Sequence, residues 1–406
     1  MQGYDTIIKN PMERRKTADK ECEYAVKIVV AMDSLKGSLS SLEAGNAVRT
    51  GLLRAIPDAE VIVRPAADGG EGTVDALVDA LGGERIALEV MGPYGEPVRA
   101  EYGFLPEQGM AVMEMASAAG ITLSERREPL EATTYGVGQM IRDAVGRGCR
   151  SFLIGIGGSA TNDGGLGMLS ALGFRFTDAD GGRCGITAGA LSELAAADCS
   201  QALPELPECR FRIACDVTNP LCGENGCTRI FGPQKGVTEE QMEQMDTALS
   251  RFADAAAAAL GTDFRNLPGA GAAGGLGFAF VSYLRGALKP GVELVMDALK
   301  LEDCVRNADF VVTGEGCLDG QTVFGKTPAG VAAAAKRYGV PVIALAGGIA
   351  PGAEACRGRG IDAYFSILPR VMPLAEAMER ETARANMEDT AEQVFRLIAA
   401  AQAAKK

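Results

Sequence analysis

The chain has no histidine among its 406 residues. That absence excludes Ser-His-Asp and Cys-His nucleophile systems, histidine proton shuttles and the usual imidazole sites for zinc or iron. Acid and base work is left to Asp, Glu, Lys, Cys or Tyr. No cysteine pair has C-x-x-C spacing, and the total of 11 is odd, as a reducing compartment permits and a secreted disulfide scaffold does not. A cytoplasmic location follows. There is no basic block and the formal net charge is -13, so nucleic acid would be repelled over most of the surface. No run approaches the roughly 20 apolar residues of a membrane helix. Residues 1–25 are charged and lack the apolar core of a signal peptide; they are read as a loose extension. Phosphoryl transfer suits these exclusions, since its catalysis is mostly positioning and charge stabilisation, with one carboxylate to orient a hydroxyl. An anionic substrate would need a local cluster to hold it.

What is present begins with apolar content of 47%, enough to bury sizeable cores, over a length that suggests two or three domains. The first section alternates: strand over 26–31, helix over 42–56, strand over 61–63, helix over 73–81. The last section resumes with strand 310–312, helix 329–337, strands 342–345 and 364–367, and a closing helix over 384–403. These ends are expected to complete one doubly wound parallel sheet. Between them lie antiparallel-looking strands over 90–105 and 111–115, and a helix over 239–260. The expected division is an extension at 1–25, an α/β domain from 26–85 and 295–406, and a mixed α/β domain inserted at 86–294.

The run after strand 152–156, Gly157-Gly158-Ser159-Ala160-Thr161-Asn162-Asp163-Gly164-Gly165, has the composition of an anion site. Its glycines let backbone N–H groups converge on a phosphate. Ser159, Thr161, Asn162 and Asp163 add donors, acceptors and a magnesium contact. Five acids follow five apolar strands: Asp33, Asp68, Asp163, Asp216 and Glu315. In open α/β sheets ligands bind beyond the carboxyl ends of strands, which makes these acids candidates for magnesium and proton handling; turn and N-cap chemistry uses Asp as readily. Asp33-Ser34-Leu35-Lys36-Gly37-Ser38 sets an acid, a cation and hydroxyls at one strand exit, where Lys36 meets a substrate carboxylate or phosphate, or only solvent. Asp68-Gly69-Gly70 suits a tight ligand-facing turn. Asn219, before Pro220, and Lys235, after Gly232-Pro233-Gln234, are weaker signals. Gly320 to Thr327 fits G-x-x-x-x-G-K-[ST], but residues 314–319 separate it from its strand, so only Lys326 is retained, as a phosphate contact. Gly269 to Gly274, with Gly271 between, fits the dinucleotide pattern without the β-α-β unit; a ligand loop and a structural loop stay equally open.

In order along the chain, DSLKGSLSSLEA from Asp33, ADGGEGT from Ala67, GGSATNDGG from Gly157, CDVTNPL from Cys215, FGPQKG from Phe231, PGAGAAGGLG from Pro268 and TGEGCLDGQTVFGK from Thr313 resemble the type I glycerate kinases. The match spans about residues 26–365. The resemblance implies a flavodoxin-like domain from both chain ends, an inserted domain, and ATP-dependent phosphorylation of D-glycerate with Mg2+, by family habit at position 2 rather than 3. With the motifs taken as functional, Asp68 or Asp216 is expected as base, Glu315 and Asp319 near the metal, and Lys36, Lys235 and Lys326 as neutralising cations. Gly-rich loops facing acids suggest a cleft that closes on substrate. Leu35, where many members carry phenylalanine, and the extension depart from the pattern without touching its polar residues. A kinase for another small hydroxy acid and a non-catalytic nucleotide or metabolite sensor are the rival readings; a homo-oligomer is left open.

Overall fold

The computed structural model describes residues 25–404. Of the extension expected over 1–25, all but Ala25 lies outside the described residues. The chain divides into two compact units, one built from the segments ending at Asp68 and starting at Val295, the other from Gly69–Leu294.

The first unit is built on a five-stranded sheet. Its spatial order is Ala363–Ser366, Val342–Ala346, Phe310–Gly314, Lys27–Met32 and Glu60–Val63, and every neighbouring pair is parallel. Ile28 to Met32 are all 0% exposed, the continuous burial expected of a strand covered on both faces. The order along the chain reverses between Lys27–Met32 and Phe310–Gly314, and such a reversal opens a crevice at the carboxyl ends of the strands. Register pairs Ile28 with Phe310 and Met32 with Gly314, so both strands end level at that point. Helix Ser41–Ala55 starts in a capping box in which Ser40 Oγ accepts from the Glu43 N–H and the Glu43 carboxylate accepts from the Ser40 N–H. It packs against the closing helix, Arg380–Ala403, across Leu52, Val48, Met387 and Ala391. Their backbones approach so closely that a Cβ on Gly51 would lie 1.9 Å from Glu388 O.

The second unit carries a six-stranded mixed sheet in the order Ala287–Lys289, Arg210–Ala214, Ser151–Gly155, Met110–Glu114, Pro97–Leu105, Glu84–Met91. The first four strands run parallel and the last two add antiparallel pairs. Its core is the aromatic-rich group Phe152, Phe211, Phe252, Phe278 and Phe280, with the Phe152 and Phe211 rings stacked at 4.7 Å. Helix Glu239–Leu260 runs from a Thr238/Gln241 capping box to a left-handed Gly261.

One boundary differs from the sequence expectation of residue 85. Helix Thr73–Leu81 packs on strands Pro97–Leu105 and Met110–Glu114, and the Glu114 carboxylate accepts the Val74 N–H at its first turn. Residues 69–85 therefore belong to the second unit. Among the described residues no helix is long and apolar enough to cross a membrane.

Candidate active site

Each strand of the first unit's sheet delivers a residue to one cavity of about 510 Å³ at its carboxyl edge. Asp33 follows Lys27–Met32, Glu315 follows Phe310–Gly314, Asp68 follows Glu60–Val63, Gly347 and Gly348 follow Val342–Ala346, and Ile367 and Leu368 follow Ala363–Ser366. Ser34, Lys36, Ser38, Asp319 and Lys326 complete the polar lining. The first-unit candidates read from the sequence are thus brought together by the topological reversal.

Asp33 is 9% exposed and accepts the Ser34 N–H at 2.6 Å and the Thr327 hydroxyl. Burial pushes its carboxyl up to about 6; the Thr327 and Ser34 hydrogen bonds oppose this, and the Asp68 and Glu315 charges reinforce it. Thr327 opens helix Thr327–Arg337, so Asp33 also sits at a positive helix end. Burial likewise raises the Glu315 carboxyl, whose Oε1 accepts the Thr322 hydroxyl at 2.6 Å. Lys326 Nζ lies 3.4 Å from Glu315 Oε2 and 3.5 Å from Asp319 Oδ1. Asp319 accepts the Gln321 and Thr322 N–H groups, which with Lys326 outweigh its desolvation and hold it below the usual carboxylate range. Ser38 Oγ is buried and has no hydrogen-bond partner among the described residues. Lys36 is exposed at the rim. Leu35, 4% exposed, packs into the core below, so leucine fills the place of the family's phenylalanine as an apolar side chain.

The second-unit candidates have other surroundings. Asp163 is 0% exposed; its carboxylate accepts the Thr134 N–H (2.8 Å), the Thr134 hydroxyl (2.7 Å), and the Gly165 and Gly167 N–H groups (3.0 and 3.2 Å). These hydrogen bonds tie the loop to Thr134 on one side and to the start of helix Leu166–Ala171 on the other. Asn162, also 0% exposed, donates to Thr228 Oγ1, and Thr161 is buried beside it. The open part of the loop is Gly157 and Gly158. Lys235 is 2% exposed and donates to Ser159 Oγ at 2.7 Å and Thr161 O at 2.6 Å; burial lowers its ammonium to about 8 against the attraction of Cys227 and Asp163. Both of these hydrogen bonds go to the loop over 157–165. Asp216 is exposed and accepts the Gly291 N–H at 3.1 Å. Asn219 donates to Asn225 O. In the Gly-rich run Gly274 has φ +66 and a Cβ there would lie 2.1 Å from Thr161 O, while the Gly271 N–H donates to Asn219 O. Gly69 packs on Ala214 and Gly291, and Gly70 O accepts the Thr73 hydroxyl.

Sequence reasoning did not single out Thr322, Gly347, Gly348, Leu368 or Met378. Gly347-Gly348 carried a usable signal, two glycines directly after an apolar strand; Thr322 and Met378 carried none. Acids, a lysine and a free hydroxyl gathered at the reversal of a parallel sheet are the equipment of an α/β enzyme that handles charged oxygen ligands. The comparisons with known proteins agree. A profile of the glycerate kinase family matches residues 28–399. A glycerate kinase of Halalkalibacterium halodurans is 49% identical over 355 residues, 87% of this chain and 93% of that protein. The glycerate 2-kinase of Escherichia coli is 46% identical over 87% of this chain and 93% of its own length. A crystal structure from Salmonella typhimurium LT2, provisionally named glycerate kinase 2, superposes with a TM-score of 0.86 at 45% identity, covering 93% of this chain and all of that one (100%). The chain belongs to the glycerate kinase family, and it is an enzyme of the kinase class.

Proposed function

We propose that the enzyme phosphorylates D-glycerate to 2-phosphoglycerate with ATP and Mg2+, by in-line transfer of the γ-phosphoryl group. The observation that carries this is the single cavity lined by Asp33, Asp68, Glu315, Asp319 and Lys326. The name of the Escherichia coli relative favours position 2. Alongside it we propose a flavodoxin-like doubly wound domain interrupted by the mixed domain, on the strand order 2-1-3-4-5 that the first unit adopts, and a cytoplasmic location, on its free described cysteines.

Of the two acids expected as base, Asp68 is the better supported, because it lines the cavity with the other acids and Lys326. A carboxylate there takes the proton of the glycerate hydroxyl as the phosphoryl group arrives. Lys36 and Lys326 offset negative charge, and Ser38 Oγ offers an uncommitted hydroxyl. Lys235 supports the Ser159 loop instead of touching phosphate. The donor set suits magnesium: Glu315 and Asp319 already share the Lys326 cation, and magnesium is usually held by one or two carboxylates together with substrate phosphates. That ion would neutralise phosphate oxygens; Glu315 and Asp319 would hold it.

A coupled ADP-release assay with D-glycerate, ATP and Mg2+, followed by phosphorus NMR of the product, tests this. Magnesium-dependent turnover with the coupling pattern of a secondary phosphate ester is expected. The pattern of a primary ester overturns the regiochemistry, and turnover only with tartronate or erythronate overturns the substrate. Binding of ATP without transfer to any of these acids favours the sensor reading. Asp68→Asn should lower turnover by about 10²-fold or more while leaving the unfolding midpoint nearly unchanged; near-normal turnover removes Asp68 as base.

A further inference from the structure

The cavity is larger and less polar than glycerate requires. At about 510 Å³ it has the size of a site for a drug-sized ligand, typically about 300–1,000 Å³, and a three-carbon acid fills little of it. Its lining changes character across the sheet. Beyond the strands Glu60–Val63, Lys27–Met32 and Phe310–Gly314 stand Asp68, Asp33 and Glu315; beyond Val342–Ala346 stand two glycines; beyond Ala363–Ser366 stand Ile367 and Leu368. Helix Leu374–Met378 adds Leu374, Ala377 and Met378 to that end. The strands from Lys27–Met32 to Ala363–Ser366 span three neighbour steps, roughly 14 Å at about 4.8 Å each.

Leu374 is 74% exposed, and Leu368 and Met378 are 37% and 38% exposed, an apolar wall standing open beside a charged floor. Met378 links the two, since its Cε is 3.0 Å from where a Cβ on Gly37 would stand. The floor sets four carboxylates against two lysines, so a ligand matching this lining brings a cation-complexed phosphate chain to one end and a flat, apolar group to the other. Glycerate has no apolar end; a nucleoside triphosphate has both.

We propose that Leu368, Leu374, Ala377 and Met378 receive the base of the nucleotide, and that they do so with little discrimination between adenine and guanine. This rests on the nucleotide reading of the same cavity given above. The weak discrimination follows from the wall's chemistry. It carries no amide, hydroxyl or charged side chain to read a base edge, and the Gly348 N–H is already donated to Gly316 O. Apolar walls separate similar ligands by small factors, whereas large ones need buried polar partners.

Calorimetric titration of the full chain with MgATP and with MgGTP, without glycerate, isolates this site from catalysis. Kd values for the two nucleotides should agree within about tenfold. Leu374→Asp should weaken MgATP binding by about tenfold and leave the KM for glycerate and the unfolding midpoint near their original values, since Leu374 is already exposed. Met378→Gln should weaken MgATP binding less, in the same direction. An unchanged Kd in both variants, a rise confined to the glycerate KM, or a preference for ATP beyond about 100-fold each overturns the assignment. A wild type that binds both nucleotides in this pattern and transfers nothing to D-glycerate supports the base site while overturning the catalytic reading.

Discussion

Asp33 and Asp163 invite comparison, because each stands beyond a parallel strand, is almost wholly buried and receives a threonine hydroxyl. Asp33 has few donors, shares its surroundings with Asp68 and Glu315, and faces a cavity. Asp163 has four donors, three of them backbone N–H groups, and closes its own loop. Burial raises both carboxyls. What separates the two acids is thus the number of donors the surrounding backbone delivers and whether space remains beside them.

The comparison breaks most visibly through activity. Asp33→Asn and Glu315→Gln should each lower kcat/KM by about a thousandfold without lowering the unfolding midpoint. Asp163→Ala should instead cost about 3 kcal/mol or more, because it strands buried donors, with kcat per folded molecule nearly retained; denaturant unfolding beside active-enzyme titration reads both. If Asp163→Ala keeps its stability and loses turnover, the two acids are alike after all.

Linkage to pH sharpens the contrast further. Asp33 binds its proton more tightly folded, at about 6 against an ordinary 3.8. Stability from this group is therefore fully present below about 4 and is lost as pH rises to about 6. At pH 8 Asp33→Asn should be the more stable protein by about 2 kcal/mol, a difference that vanishes near pH 4, and an acid limb of kcat/KM near 6 should disappear with it. Lys235 supplies a swing of the opposite sign, since it holds its proton less tightly folded, at about 8 against 10.5. Its contribution to stability rises as pH climbs from about 8 to about 10.5, and Lys235→Met should flatten that rise, by about 3 kcal/mol at most.

Much of this molecule was legible before its structure. The apolar run of Lys27–Met32 and the uninterrupted helix Glu239–Leu260 follow from local pattern. The crossing at Asp68–Gly69 did not, because an α/β alternation reads the same whichever sheet its helix joins; the packing of Thr73–Leu81 on Pro97–Leu105 decided it. Asp33 and Glu315 were singled out because an acid after a strand is a local signal, and Lys326 because it stands in a G-x-x-x-x-G-K-[ST] match. Thr322, Thr327 and Met378 reach the site only through the fold, Thr327 from 294 residues away in the chain.

The sequence by itself carried the class of chemistry in seven ordered motifs that resemble the glycerate kinases, with which the lack of histidine and the strand-end acids agree, and it determined most strands and helices through their period. Only the tertiary structure decided which acids act together. Hydrogen-bond donors and cavity walls come from segments distant in sequence, and the partition of Asp33 from Asp163 depends on how many of those donors arrive. That number is a property of packing, and no spacing along the chain encodes it.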